Sequence, residues 1–130
     1  MRPQGKPQKV LVVDDDLDLR DVLSDLLADD GFEPISVESG KAALRYLEGG
    51  EQPSLILLDL MMPDMSGWDF RRAQLRNPQL ADIPVVVMTA SRRVGPPPIT
   101  ASAVVYKPVR LHQLLDVVHR TARPAASPAG

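Results

Sequence analysis

The sequence predicts an α/β fold in which helices cover both faces of one parallel sheet. Short runs rich in apolar and β-branched residues recur at residues 10–13, 34–37, 55–58, 84–88 and 103–106, and each run has the length of a strand. Segments with helical periodicity separate most of these runs, which is typical of strand–helix–strand units. A hydrophobic fraction of 44% in 130 residues is enough for the core of one domain.

The first helix is the most clearly marked element. It follows the strand at residues 10–13, and we expect Asp16 or Asp18 to cap it, with Asp21 as the acid three positions after Asp18 and Gly31 as its end. Its apolar residues fall at positions i, i+3, i+4, i+7 and i+8: Leu19, Val22, Leu23, Leu26 and Leu27. This spacing predicts one buried stripe along the helix.

The sequence signals that mark the ends of the later helices are weaker than those of the first. The second begins at Ser39 and ends at the glycine pair Gly49 and Gly50, and the third covers residues 68–76 before Asn77 and Pro78. The buried stripe of the last helix is predicted to contain four residues: Leu111, Leu114, Leu115 and Val118.

One segment breaks the alternation of strands and helices. Residues 91–100 contain three successive prolines, Pro96, Pro97 and Pro98, where the pattern calls for a fourth helix. Proline removes a backbone donor and clashes with the preceding turn, so we expect a proline-rich loop in place of a full helix.

Composition limits the classes of function. A net charge of −2 gives no reason to expect direct binding to nucleic acid, and the absence of cysteine excludes disulfides and thiolate metal sites. No apolar run approaches the roughly 18 residues of a membrane span, and the first eight residues lack a signal sequence, so we expect no membrane insertion and a cytoplasmic protein. The expected organisation is a flexible tail at 1–7, one domain at 8–122 and a second tail at 123–130.

Carboxylates follow two of the predicted strands directly. Asp14, Asp15 and Asp16 come after residues 10–13, and Asp59 comes after residues 55–58. The carboxyl ends of parallel strands form the ligand-binding edge of an open sheet, and clustered carboxylates there repel one another unless they are protonated or neutralised by a cation such as Mg²⁺. A carboxylate can also attack phosphorus to form an acyl phosphate, and Asp59 is the best candidate for this nucleophile.

Two further polar residues end the remaining strands. Thr89 offers a hydroxyl donor, and Lys107 offers a compact positive charge that can meet phosphate oxygens. Together with the acids they place all of the candidate chemistry on one edge.

These motifs, in this order, resemble those of the response-regulator receiver domain of two-component signalling. The matching segments, within residues 8–122, are Val-Val-Asp-Asp-Asp at 12–16, Leu-Asp-Leu-Met-Met-Pro at 58–63 with Gly67, Val-Met-Thr-Ala at 87–90 and Tyr-Lys-Pro at 106–108. The resemblance implies a flavodoxin-like sheet of order 2-1-3-4-5.

The resemblance also implies roles for individual residues. Asp59 would be the phosphoacceptor, Thr89 the switch hydroxyl and Lys107 the phosphate-binding lysine, and the Lys107–Pro108 bond would be cis. Asp14 and Asp15 would form the acidic pair of the metal site, with Mg²⁺ bound by Asp15, Asp59 and the backbone carbonyl of Met61.

Partners follow from the same resemblance. A sensor histidine kinase or phosphotransfer protein would donate the phosphoryl group, and a downstream protein target would respond. The domain would not be an enzyme beyond catalysing its own phosphorylation and dephosphorylation.

Two departures from the family concern the readout of the signal. Thr89 and Lys107 are 107 − 89 = 18 positions apart, fewer than is usual, and the shortening coincides with the proline-rich segment. Val104 stands where the family keeps an aromatic residue that changes rotamer. Tyr106 has the same strand parity as Val104, so it either takes over the aromatic role or only covers apolar surface.

Three other functions stay open at this point. A phosphorylation-independent interaction module would keep the acidic site without using it as a switch. A phosphatase with an aspartate nucleophile is disfavoured because Met61 stands where such enzymes place a second acid, and a nucleotide switch because the chain lacks a phosphate-binding loop. We expect His112 and His119 to be solvated without an acidic neighbour, and the arginines of residues 71–76 to be solvated as well.

Overall fold

The computed structural model describes residues 7–90 and 100–124, and within them five parallel strands form one sheet in the order β2-β1-β3-β4-β5. The elements are, in chain order, β1 (Lys9–Val13), α1 (Leu17–Asp29), β2 (Glu33–Val37), α2 (Gly40–Glu48), β3 (Leu55–Asp59), α3 (Gly67–Arg76), β4 (Val85–Thr89), β5 (Ala103–Tyr106) and α4 (Leu111–Thr121). The predicted fold class and strand order are confirmed. The predicted proline-rich loop falls mainly on residues 91–99, which lie outside the described residues.

Each face of the sheet has its own hydrophobic core, because alternate residues of a strand point to opposite faces. On one face the strands pack against α2 and α3, through Ala43, Leu47 and Phe70. On the other face they pack against α1 and α4, where the buried residues are Leu23, Leu27, Leu114 and Val118. All residues of β3 and β4 are buried, as expected for central strands covered on both faces.

Helix ends agree with the sequence. Of the two aspartates expected as caps of α1, Asp18 lies in the first turn and Asp16 caps the helix, its carboxylate accepting a hydrogen bond from the backbone N–H of Leu19 at 3.2 Å. Gly31 and Gly50 follow their helices with φ angles of 93° and 95°, which glycine adopts without a side-chain clash.

The last helix departs from prediction at two side chains. Leu111 was expected in the buried stripe but is 39% exposed, because it is the first residue of α4. His119 is exposed as predicted, but the expectation that it has no acidic neighbour is wrong. Its Nε2 lies 2.5 Å from Oδ2 of Asp30, and its ring is 5.3 Å from that of Phe32, because the last turns of α1 and α4 meet on the same face of the sheet.

In the described part of the chain, no helix is both long and apolar enough to cross a membrane.

Candidate functional site

The adjacent strands β1 and β3 bring three carboxylates together at the carboxyl edge of the sheet. Asp14, Asp15 and Asp59 each offer an oxygen, and these three oxygens lie within 4.8 Å of one another. Asp14 and Asp59 are buried, whereas Asp15 is exposed. The predicted acidic cluster is therefore present, with two buried carboxylates and one exposed carboxylate.

Asp14 is hydrogen-bonded at all four of its polar atoms. Its carboxylate oxygens accept from the backbone N–H of Asp16 at 2.9 Å and from Nζ of Lys107 at 2.8 Å. Its backbone N–H donates to the carbonyl of Val37, and its backbone carbonyl accepts from Nη1 of Arg20 at 2.7 Å. These bonds fix Asp14 and leave Asp15 and Asp59 as the better placed direct ligands for a cation.

Lys107 links the acidic cluster to the end of β5. Its Nζ lies 2.8 Å from Oδ2 of Asp14 and 3.6 Å from Oδ2 of Asp59, and its backbone N–H donates to the carbonyl of Thr89. Although burial opposes the charge of the ammonium, its hydrogen bond to Asp14 and the charges of Asp14 and Asp59 leave its pKa raised. The ammonium therefore stays protonated beside Asp59. The Lys107–Pro108 peptide is cis, as predicted.

The charge of Asp59 is only partly compensated by its neighbours. Burial, then the neighbouring charge of Asp14, raises its pKa to about 6, and the N–H of Met61 and the ammonium of Lys107 only partly oppose this shift. The carboxylate is thus mostly ionised at neutral pH, at an energetic cost. A divalent cation with oxygen ligands would remove that cost, so the donors present fit Mg²⁺.

Thr89 and Met61 occupy the same edge. Thr89 ends β4, is 1% exposed and lies opposite Tyr106 in the pairing of β4 with β5. Met61 donates its backbone N–H to Oδ1 of Asp59 at 3.2 Å, while its side chain is 63% exposed. Met61 therefore contacts the acidic cluster directly, through Asp59. Thr89 is linked to the cluster through Lys107, whose backbone N–H bonds the carbonyl of Thr89.

The loop after β3 is held against the nucleophile candidate by a close backbone approach. The N–H of Gly67 donates to the carbonyl of Leu60 at 2.9 Å, and a Cβ at this glycine would lie 2.7 Å from Cα of Leu60 and 2.8 Å from the carbonyl oxygen of Asp59. Asp64 has a φ of 68°, and the N–H of Met65 bonds the carbonyl of Pro63 across it. The loop therefore makes a tight three-residue turn before α3.

Strand β5 carries Val104, which departs from the family, and Tyr106, the candidate to take over its aromatic role. Val105 packs in the core formed with α1 and α4, so Val104 and Tyr106 face the other side, as their parity predicts. Val104 is 38% exposed, and Tyr106 is half-buried.

Sequence reasoning missed Arg20, which touches the site through a backbone carbonyl. Helical periodicity marks the apolar stripe of α1 and carries no signal for a polar residue that bonds the main chain. Its spacing of six positions from Asp14, across the start of a helix, could have suggested the contact.

The comparison with known proteins decides the family. The sequence profile of the response regulator receiver domain matches residues 10–119. The chain belongs to this family. Receiver domains are signalling domains of two-component systems and bind Mg²⁺ at an acidic pocket.

Curated relatives and solved structures agree with this family. This receiver domain is 37% identical over 83 residues to the phosphate regulon transcriptional regulatory protein PhoB of Klebsiella pneumoniae, covering 64% of the chain and 36% of PhoB. It is 36% identical over 86 residues to the two-component response regulator ORR11 of Oryza sativa subsp. indica, covering 66% of the chain and 58% of ORR11. The chain thus spans about a third to just over half of these relatives.

The structural match covers more of both chains. The chemotaxis protein CheY4 of Vibrio cholerae superposes with a TM-score of 0.79 and 27% identity, over 89% of this chain and 99% of that one. A CheY-like receiver domain protein from Methanospirillum hungatei has a TM-score of 0.74 and 33% identity, over 88% and 90% of the two chains. The receiver fold therefore accounts for most of this chain.

Proposed function

We propose that the protein receives a phosphoryl group on Asp59 from a sensor histidine kinase or a phosphotransfer protein, and that it signals by changing a protein–protein contact. The observation that carries this proposal is the setting of Asp59. It is a buried carboxylate at the end of β3, with an ammonium 3.6 Å away and two other carboxylates in the same cluster. This combination suits a nucleophile that must work beside a cation and a phosphoryl group.

The proposed reaction is an in-line displacement at phosphorus. An oxygen of Asp59 forms a bond to the phosphorus of a phosphohistidine, the P–N bond breaks, and its electron pair leaves with the imidazole of the donor. Hydrolysis later returns the carboxylate and inorganic phosphate. In this sense the domain would catalyse its own phosphorylation and dephosphorylation without being an enzyme for other substrates.

Mg²⁺ would be held by Asp15, Asp59 and the backbone carbonyl of Met61, with Asp14 completing the acidic pair, and when bound it would neutralise charge on the transferred phosphoryl oxygens. Lys107 would bind one phosphoryl oxygen, since its Nζ already lies between Asp14 and Asp59. The hydroxyl of Thr89 would bond another and report the modification. Asp14 would keep the ammonium in place before the donor arrives.

Other predictions belong with this proposal. We also propose the organisation predicted from the sequence, with one domain at 8–122 and tails at 1–7 and 123–130. The same holds for a cytoplasmic location and for a downstream target that is a protein and not nucleic acid. The side chain of Gln8 donates a hydrogen bond to the backbone carbonyl of Arg123 at 2.8 Å, which supports a domain that begins near residue 8 and includes one residue of the predicted second tail.

One observation favours an alternative function, a receiver-like module that binds its partner regardless of phosphorylation. Val104, exposed on β5, replaces the aromatic residue expected three positions before Lys107. A valine has no ring to swing between two positions, so phosphorylation would lack its usual route to this surface. Partner binding that is unchanged by Asp59→Asn would favour this alternative.

The proposal is tested by intact-mass measurement after incubation with a small-molecule phosphodonor and Mg²⁺. We expect one phosphoryl adduct on the unaltered protein, and none with EDTA or in Asp59→Asn. Asp64→Asn is the matched control, because it makes the same chemical change in the exposed loop five positions later and should leave the adduct intact. An unmodified protein with both this donor and a histidine kinase would contradict phosphoacceptor function.

A further inference from the structure

Arg20 is a half-buried arginine in the first turns of α1 whose guanidinium bonds the backbone of the acidic cluster. Its Nη1 donates to the carbonyl of Asp14 at 2.7 Å, a short bond from a charged donor. In the described residues no carboxylate lies within ion-pair distance of this guanidinium, although three aspartates precede the helix. The side chain is therefore committed to a main-chain oxygen.

The bond between Arg20 and the Asp14 carbonyl bears on the position of Asp15. The side chain of Asp15 is exposed and has no hydrogen bond among the described residues, yet its carboxylate lies within 4.8 Å of those of Asp14 and Asp59. Its place is thus set by the main chain on either side of it. On the Asp14 side, the peptide that joins the two residues contains the carbonyl that Arg20 holds.

We propose that Arg20 is a positioning residue for the cation site of this domain. It touches neither the cation nor the phosphoryl group, and it orients the Asp14–Asp15 peptide so that the Asp15 carboxylate faces Asp59. The inference rests on the proposed function, because it deepens the account of the same acidic site.

Charge and position predict opposite effects of removing Arg20. If the guanidinium acted only through its positive charge, its removal would reduce repulsion of the cation and tighten Mg²⁺ binding. If it acts by holding the Asp14 carbonyl, its removal loosens one ligand and weakens Mg²⁺ binding. The sign of the change therefore separates the two roles.

The test is calorimetric titration of the unphosphorylated, full chain with Mg²⁺. We expect Arg20→Ala and Arg20→Gln to raise the Kd by about tenfold or more, the scale of losing one hydrogen bond from a charged donor. Arg20→Lys keeps the charge and a donor, so its affinity for Mg²⁺ should be higher than that of the other two variants. It also allows the measurement to be made if Arg20→Ala and Arg20→Gln do not fold. Arg45→Ala removes an exposed arginine from α2 and should leave the Kd unchanged.

Phosphorylation at varied Mg²⁺ supplies a second readout. For Arg20→Gln we expect the half-saturating Mg²⁺ concentration to rise while the rate at saturating Mg²⁺ stays within about twofold of the parent, since only cation binding is impaired. An unchanged or lower Kd for Arg20→Ala, or a lost saturating rate at unchanged Kd, would overturn the inference. If the parent binds Mg²⁺ but takes no phosphoryl group, the proposed function fails while the titration still decides the role of Arg20.

Discussion

At the scale of single residues, the ionisation of Asp59 sets a conflict between stability and function. The carboxylate needs to be charged to bind a cation or attack phosphorus, yet its surroundings raise its pKa to about 6 from an ordinary value of 3.8. Without a cation, the folded protein therefore holds a charge that the unfolded chain holds more easily. The site is less stable than a neutral one would be.

This conflict predicts that Asp59→Asn stabilises the metal-free protein. Because the folded pKa is the higher one, the penalty is full above pH 6 and fades as the pH falls from 6 to 3.8, where the folded carboxyl becomes neutral first. A shift of this size corresponds to roughly 1 to 3 kcal/mol in the free energy of unfolding. Urea unfolding in EDTA at pH 8 should show the gain.

The same measurement near pH 4 should show almost no gain from Asp59→Asn. Asp64→Asn, on the exposed loop, is the control that should change little at either pH. If Asp59→Asn were no more stable than the parent at pH 8, the carboxylate would not be under electrostatic strain, and the argument from burial would be wrong.

At the scale of elements, the loop between β3 and α3 determines where Asp59 points. Gly67 makes the close approach, since an added Cβ would meet backbone atoms of Leu60 and Asp59 at 2.7 and 2.8 Å. Backbone cannot move aside as a flexible side chain can, so a larger residue must displace the end of β3.

We therefore predict that Gly67→Ala lowers the free energy of unfolding by about 1 to 3 kcal/mol and reduces phosphorylation of Asp59. Gly40→Ala is the matched control, because its Cβ would meet Sδ and Cγ of Met65 at 2.8 and 3.0 Å, which belong to a flexible side chain and not to the backbone. Urea unfolding and intact-mass phosphorylation of both variants provide the measurements. Equal losses in the two variants would show that the close approach to Leu60 has no special role.

The elements also show why the sequence predicted that these polar residues share one edge of the sheet. The acids were predictable because each directly follows a run of apolar residues, and parallel strands carry whatever follows them to a common edge. Thr89 and Lys107 reached that edge for the same reason. Strand order placed β1 beside β3, which brought Asp14 and Asp59 together.

The failures have a different physical origin. The cap of α1 stayed open between Asp16 and Asp18 because the two are chemically equal candidates, and only backbone geometry decides which one bonds Leu19. The pair His119 and Asp30 is 89 positions apart, so it depends on how two helices end, and periodicity does not determine that. Contacts made by polar side chains to backbone, such as that of Arg20, leave no hydrophobic pattern.

At the scale of the whole molecule, the two edges of the sheet carry different groups of contacts. The carboxyl edge carries the acidic cluster and Lys107. The opposite edge is closed by Arg123, whose backbone N–H donates to the carbonyl of Ser54 at 3.0 Å and whose carbonyl accepts from the side chain of Gln8 at 2.8 Å. Its guanidinium also donates to Gln52 at 2.8 Å. The chain is thus tied beyond the predicted border at residue 122.

We predict that a chain ending at Ala122 is less stable than one ending at Pro124. The shorter chain loses the hydrogen bonds of Arg123 to Ser54, Gln8 and Gln52, and bonds of this kind contribute about 0.5 to 1.5 kcal/mol each. Thermal unfolding should place its Tm several degrees lower. Phosphorylation of the folded protein should be equal in the two chains, because the lost contacts are at the edge opposite Asp59. Equal Tm values would mean that solvent replaces these bonds without cost, and a selective loss of phosphorylation would mean that the two edges are coupled.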